Sequence, residues 1–261
     1  MRMLLMLGTY LTCIGAAAGC NGSVSPEGVR LLRASDVAYR RGDDAAAIDS
    51  ATRFLELHPR LQESGEAYYI RALANKRTAR TGEAKSDLQA ALGLAKRPDL
   101  LVRVHHASGE LAYASSDLTA AEGHYREVVE LNPAAAPPSD QALYRLGCVL
   151  QRQGRWAEAD FYFTRLTHLF DDSALARRAE DRIRAKQWSI QVGAFANTAA
   201  ASRLERQLIA QGLPARTDID TRDRKLLRFV RIGSYTTYKV AEAHLQKART
   251  ISSDAFITPA R

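Results

Sequence analysis

Residues 28–187 repeat themselves, and a chain of similar helical units narrows the possible folds more than any other feature of this sequence. From Gly28 onward the pattern is helical, alanine-rich and self-similar, with a period close to 34. The clearest unit runs from Ser139 to Asp172 and carries Leu146, Gly147, Leu150, Gly154, Trp156, Ala159, Phe163 and Leu166. A second lies near Leu101–Pro133, with Gly109, Ala112, Leu118, Ala121, Tyr125, Val128 and a closing Asn132-Pro133. A third, near Gly28–Pro59, has Ala38, Gly42, Ala47, Phe54 and His58-Pro59. The most divergent, near Gly65–Pro98, has Tyr68, Ala72, Ala84, Leu88 and Ala91. Small side chains let helices approach, large ones fill the space between units, and proline ends a helix. Such units bury their apolar faces only by stacking on their neighbours.

These placements resemble the tetratricopeptide repeat, a helix-turn-helix unit that stacks into a solenoid. Two departures stand out: Ala51 replaces an aromatic in the first unit, and Ala79 replaces the turn glycine of the second. Ala174–Gln187 is expected to form a last helix covering the stack, with Arg177, Arg178, Arg182 and Arg184 as a solvated face. Tyr68, Tyr125, Trp156 and Phe163 fall at packing positions and read as core, as does the lone Cys148. The resemblance implies a concave groove that docks a peptide or protein. The sequence alone does not separate groove residues from the outer surface.

The N-terminus reads as an address. Arg2 precedes an apolar run from Met3 to Ile14, followed by small residues to Gly19. That is the layout of a secretory signal peptide over residues 1–19, and it is short for a membrane span. The segment Ala17-Ala18-Gly19-Cys20 resembles the lipobox of bacterial lipoproteins, which implies lipidation of Cys20 and a membrane anchor. An ordinary cleaved signal and an uncleaved anchor are the competing readings. Asn21, rather than an acidic residue, follows the cysteine, which in that family favours the outer membrane and a periplasm-facing chain. Residues 20–27 read as a tether.

At Trp188 the period changes from helical to alternating. Residues 188–261 hold 12 Lys/Arg against 6 Asp/Glu, so a net +6 of the chain's +8 lies there. Trp188, Ile190 and Val192 are expected on one strand face, and Ser189, Gln191 and Gly193 on the other. A helix over 198–211 follows, with Leu204, Leu208 and Ile209 buried. Strands over 214–219 and 226–233 come next, the latter with Leu227, Val230 and Ile232 inward. A helix over 238–251, with Val240, Ala243, Leu245 and Ala248, and a strand over 255–258 complete a βαββαβ order. The fold class is thus an all-α solenoid followed by a small α+β domain.

Two motifs in that segment, Ile190-Gln191-Val192-Gly193-Ala194-Phe195 and Val230-Arg231-Ile232-Gly233-Ser234-Tyr235, resemble the paired signatures of the SPOR domain. The likeness spans residues 188–261 and implies binding of peptidoglycan glycan strands stripped of their stem peptides, a material enriched at division septa. By the family's pattern Gln191 is the first ligand residue, able to donate to and accept from sugar groups. Ser189 shares its face, and Ala194 falls where relatives place a small or hydroxyl residue near the sugar. Phe229 offers an apolar plate, although relatives often have a basic residue there, and Arg231 a fork of donors. Tyr235 completes the second motif or wedges beneath the sheet. Phe195 reads as core, and Asp223, Arg224 and Lys225 as a solvated turn.

Two other classes compete. A basic βαββαβ sheet also describes RNA-recognition modules, yet the stacked aromatics those modules use are missing, with Gln191 and Gly193 in their place. The export signal argues against nucleic acid as well. For an enzyme, Glu66, Glu83, Glu110, Glu122 and Glu127 all fall on repeat helices rather than in a pocket. His105-His106 has no ligand partner at metal spacing. No catalysis, metal or cofactor is therefore expected. The partners expected are glycan strands, a protein or peptide at the groove, and a membrane reached through the lipid anchor. The alternative is an envelope-assembly scaffold whose last domain does not bind glycan.

Overall fold

The computed structural model describes residues 23–132, 136–222 and 225–260. The signal segment, Cys13, Cys20, Asn21, Pro133, Asp223 and Arg224 lie outside the described residues.

Four helix pairs stack in order: α1 (Pro26–Arg41) with α2 (Asp44–Leu57), α3 (Ser64–Arg77) with α4 (Thr81–Leu94), α5 (Pro98–Ala114) with α6 (Leu118–Leu131), and α7 (Ser139–Arg152) with α8 (Trp156–Leu169). A short α9 (Ala174–Glu180) closes the stack. The first helices begin 38, 34 and 41 residues apart, so the period of 34 holds only from the second unit to the third. Longer loops between the other units absorb the difference. α1 begins at Pro26, inside the expected tether, because Ser25 accepts the Gly28 N–H as N-cap and is held by His58 Nε2 at 2.9 Å.

The small-residue positions do what their spacing requires. Phe163 and Tyr125 are fully buried, and their rings press on Gly147 and Gly109 of the paired helices. Cys148 is a free, buried thiol whose pKa burial pushes up, which leaves it a packing residue. Ala51 is also fully buried, so the missing aromatic of the first unit is a smaller contact rather than a gap at the surface. Trp156 departs from expectation: it is only half-buried and stacks on Trp188 of the next domain rather than in the repeat core.

A residue with positive φ recurs in the turn inside each unit: Gly42 (85°), Ala79 (60°), Ser116 (61°) and Gly154 (80°). The second unit therefore keeps the left-handed turn without its glycine, and so does the third. An L-residue there costs about 1–2 kcal/mol, offset in part by the extra chain entropy glycine loses on folding. Ala79→Gly should accordingly raise stability by about 0.5–1 kcal/mol in urea denaturation. No gain would mean the turn is already relaxed around the methyl group.

Along the first helices runs a ladder of arginines on tyrosines. Arg77 lies 4.3 Å over Tyr39, Arg103 5.1 Å over Tyr69, Arg145 5.2 Å over Tyr113, and Arg182 5.6 Å over Tyr144. Each arginine belongs to the unit or cap after the one holding its tyrosine. Carboxylates complete the ties: Arg103 pairs with Glu66 at 2.9 Å and Arg145 with Glu110 at 2.8 Å. Arg155 pairs with Glu122 at 2.7 Å. The acids Glu66, Glu110 and Glu122 thus serve as inter-unit ion pairs.

The chain then enters a four-stranded antiparallel sheet in the order β2-β3-β1-β4. Its strands are β1 (Gln187–Phe195), β2 (Ala215–Arg222), β3 (Lys225–Tyr235) and β4 (Phe256–Ala260). α10 (Thr198–Ala210) and α11 (Tyr238–Arg249) cover one face. Ile190, Val192, Val230 and Ile232 meet Ala201, Leu208, Leu245 and Ala248 beneath them. The expected inward sets shift by one position in places. Ile209 and Val240 are exposed, Ala243 points outward, and Ala201 and Ala241 take the buried places. Leu227 is only half-buried and does not join Val230 and Ile232 in the core. The capping helix ends at Glu180, half its expected length. A turn with Arg184 at φ 66° follows, its N–H donating to the Asp160 carboxylate at 3.1 Å. Among the described residues no helix is long and apolar enough to cross a membrane.

Candidate functional site

Two irregularities in the sheet decide which side chains reach its uncovered face. Between Gln191 and Gly193 the register slips, so Val192 is an extra residue on β1; between Trp188 and Ile190 the extra residue is on β3, at Gly233-Ser234. The first slip turns Gly193 toward the helices, against the expected alternation. A Cβ there would meet the Phe195 ring at 2.5 Å and Leu204 at 3.3 Å. Gly233, at φ 67°, does the same beneath Tyr235, where a Cβ would sit within 2.7 Å of three side-chain atoms. Each glycine-x-aromatic motif therefore folds its ring back over its own glycine, and both signatures are built for packing as much as for binding.

This geometry sorts the expected ligand residues. Gln191 lies on the uncovered face, paired across the strands with Arg231 and Phe256. It is half-buried and makes no side-chain hydrogen bond among the described residues. Arg231 stands beside it, donating to Asp218 Oδ2 at 3.0 Å, while its buried Nε has no acceptor. Ala194 is exposed and sits across from Phe229 on the same face. Phe229 is not an open plate: it is 3% exposed, with the Arg231 guanidinium 5.5 Å above its ring. Ser189 is fully buried, its hydroxyl without a partner, so it does not present to a ligand. Tyr235 lies on the helix side, stacked 5.0 Å from His244 of α11, and burial raises its phenol pKa.

Three contributors carry no signal in the sequence pattern. Phe256 is 48% exposed beside Gln191 and supplies the apolar ring that Phe229 does not. Arg216 and Asp218 on β2 complete a polar row, with Arg216 donating to Ser234 Oγ at 3.1 Å and Gly233 O at 3.2 Å. The alternation over 214–219 marks β2 but not which of its residues face out.

The face is one wall of a cleft of about 700 Å³. The other wall comes from the repeats, through Tyr144 of α7 and Arg178, Asp181 and Arg182 at the end of the stack. An aromatic hinge-pin holds the two walls in register. Trp156 packs 5.2 Å from Trp188, Trp188 meets Tyr238 edge-on at 5.0 Å, and Arg152 covers Tyr238 at 4.4 Å. The Lys186 N–H also donates to Ala260 O at 3.0 Å. The lining of the cleft is mostly polar and charged, with the Phe256 ring among it. Among the described residues no cluster of three metal-ligating side chains is present.

Fold and cleft together define a two-module protein, a helical-repeat solenoid carrying a sheet domain with a polar binding face. The family comparisons name the modules: residues 184–259 match the SPOR domain and residues 141–173 match a tetratricopeptide repeat. No curated protein matches the chain. Among solved structures, that of the MamA protein covers 60% of this chain and 79% of its own, at 16% identity and TM-score 0.50. A tetratricopeptide repeat protein from Parabacteroides merdae covers 72% of this chain and 68% of its own, at 17% identity and TM-score 0.52. The apo form of RapI aligns over 60% of this chain and 48% of its own, at 15% identity and TM-score 0.52. At such identities the likeness is one of fold alone.

Proposed function

We propose that this chain is a non-enzymatic adaptor of the bacterial cell wall. Its SPOR domain holds glycan strands of peptidoglycan, and its repeats dock a protein partner at the same place. SPOR domains point to peptidoglycan binding and tetratricopeptide repeats to protein interaction, and both are typically binding rather than catalytic modules. The observation that carries the reading is the pairing of an unengaged Gln191 with Arg231 and the exposed Phe256 ring on one face. The amide offers donor and acceptor to hydroxyl and acetamido groups, and the ring offers a surface for the apolar side of a pyranose. The signal-like leader and the Ala17-Ala18-Gly19-Cys20 segment support export and a lipid anchor at Cys20 in the outer membrane. A place at division septa belongs to the same proposal.

The test uses the detergent-solubilised full chain in a pelleting assay with isolated sacculi, before and after an amidase removes the stem peptides. Binding is expected to rise on denuding, and Gln191→Ala to weaken it about tenfold, the worth of one or two well-placed hydrogen bonds. No pelleting with either material would leave an envelope scaffold with a non-binding sheet. Fluorescent fusions spread evenly around the cell would remove the septal part.

A further inference from the structure

The cleft has two walls, and the SPOR resemblance speaks only to the sheet. We propose that the glycan site is composite: Arg178, at the end of the repeat stack, binds the carboxylate that stem-peptide removal leaves on the glycan. The inference rests on the reading of the sheet as a denuded-glycan binder and adds a residue from the other module.

The charges of the cleft lead to this residue. Four arginines line it (178, 182, 216 and 231) against three aspartates (181, 218 and 220), one positive charge in excess. Arg216 and Arg231 both engage Asp218, at 3.3 and 3.0 Å. Arg182 donates to Tyr144 Oη at 3.1 Å and to Gln151 Oε1 at 2.9 Å, inside the inter-unit ladder. Arg178 has neither an ion pair nor a hydrogen bond among the described residues, and its side chain is exposed. Arg178 is therefore the one arginine of the cleft with no polar partner among the described residues, and it shares that lining with Gln191 and Phe256.

The chemistry of the ligand supplies the complement. A stem peptide joins the glycan through an amide on a lactyl group, so hydrolysis frees an amine on the peptide and a carboxylate on the sugar. Stripping the peptide thus creates an anion as well as space. A guanidinium fork suits a carboxylate better than it suits sugar hydroxyls, because both N–H bonds are charge-assisted. Gln191 and Phe256 read the sugar, and Arg178 reads the mark of its denuding. On this account the preference for stripped strands is partly electrostatic, and it depends on the repeats staying packed against the sheet.

The experiment measures binding of the full chain to denuded glycan and to the same glycan with its carboxylates methyl-esterified. Wild type is expected to lose about tenfold on esterification. Arg178→Ala should lose the same factor on native denuded glycan and nothing further on the ester, the signature of two groups that act on each other. Arg178→Lys should recover part of the loss. The exposed position makes an unchanged thermal midpoint the expected folding control. If Gln191→Ala weakens binding while Arg178→Ala does not, the composite site is overturned and the sheet reading stands. Equal losses for Arg178→Ala on acid and ester would overturn the carboxylate assignment. If neither variant changes binding, the glycan is held elsewhere and the composite site is overturned together with the Gln191 face.

Discussion

Gly147→Val is expected to lower stability by about 3 kcal/mol, from overpacking with a smaller helix-propensity contribution. A Cβ at this position would lie 2.5 Å from Cε1 and 2.6 Å from Cζ of Phe163, far inside van der Waals contact. The ring cannot yield, because Phe163 is fully buried and packed 5.9 Å from the Tyr144 ring within the largest core cluster. Closely packed interiors pass such a clash on to neighbouring helices rather than absorbing it. Gly123→Ala provides the contrast. That glycine is helical with nothing within 4 Å of its would-be Cβ, so the change should stabilise by about 0.5–1 kcal/mol. Urea midpoints for the two variants should move in opposite directions. An unchanged midpoint for Gly147→Val would mean that the last unit is not the tightly crossed pair described above.

That crossing is legible in the amino-acid sequence, since Gly147, Ala159 and Phe163 recur as Gly109, Ala121 and Tyr125 at matching places. Helix existence, the βαββαβ succession of elements and the switch near Trp188 are legible for the same reason: each is written in short-range periodicity. What escapes depends on pairing between distant segments. The slip that adds Val192 to β1 is set by the register with β3, and no local pattern announces it. One extra residue sends Gly193 to the helix side, and with it goes the simple alternation used to assign contacts. Phe229 and Phe256 look alike as single aromatics on strands; only register and burial show that the first is covered and the second open. Arg178 illustrates the limit best. Within the run Arg177-Arg178 it reads as a solvated face, and it is indeed solvated, but the solvent it faces is that of a cleft.

Trp188→Ala should be at least as costly as Gly147→Val, at about 3–4 kcal/mol, and should also change the form of the unfolding curve. Trp188 is 3% exposed and is the central member of the Trp156–Trp188–Tyr238 stack that joins solenoid to sheet. Removing it opens a cavity at the junction, while the cores on either side, around Phe163 and around Ile190, keep their own contacts. The wild-type chain is expected to unfold with its last repeat and sheet coupled. The alanine variant should show two separated transitions, one reported by Trp156 fluorescence. Trp188→Phe discriminates loss of packing from loss of a hydrogen bond. The indole N–H has no acceptor, so a phenyl ring keeps most of the stack and relieves an unsatisfied donor, for a net change within about 1 kcal/mol. If the junction keeps Arg178 opposite Gln191, Trp188→Phe should bind denuded glycan like wild type. Trp188→Ala should bind no better than Arg178→Ala even at temperatures where both modules remain folded. Full binding by the alanine variant under those conditions would mean the sheet works alone, and the repeats would then carry the partner without touching the wall.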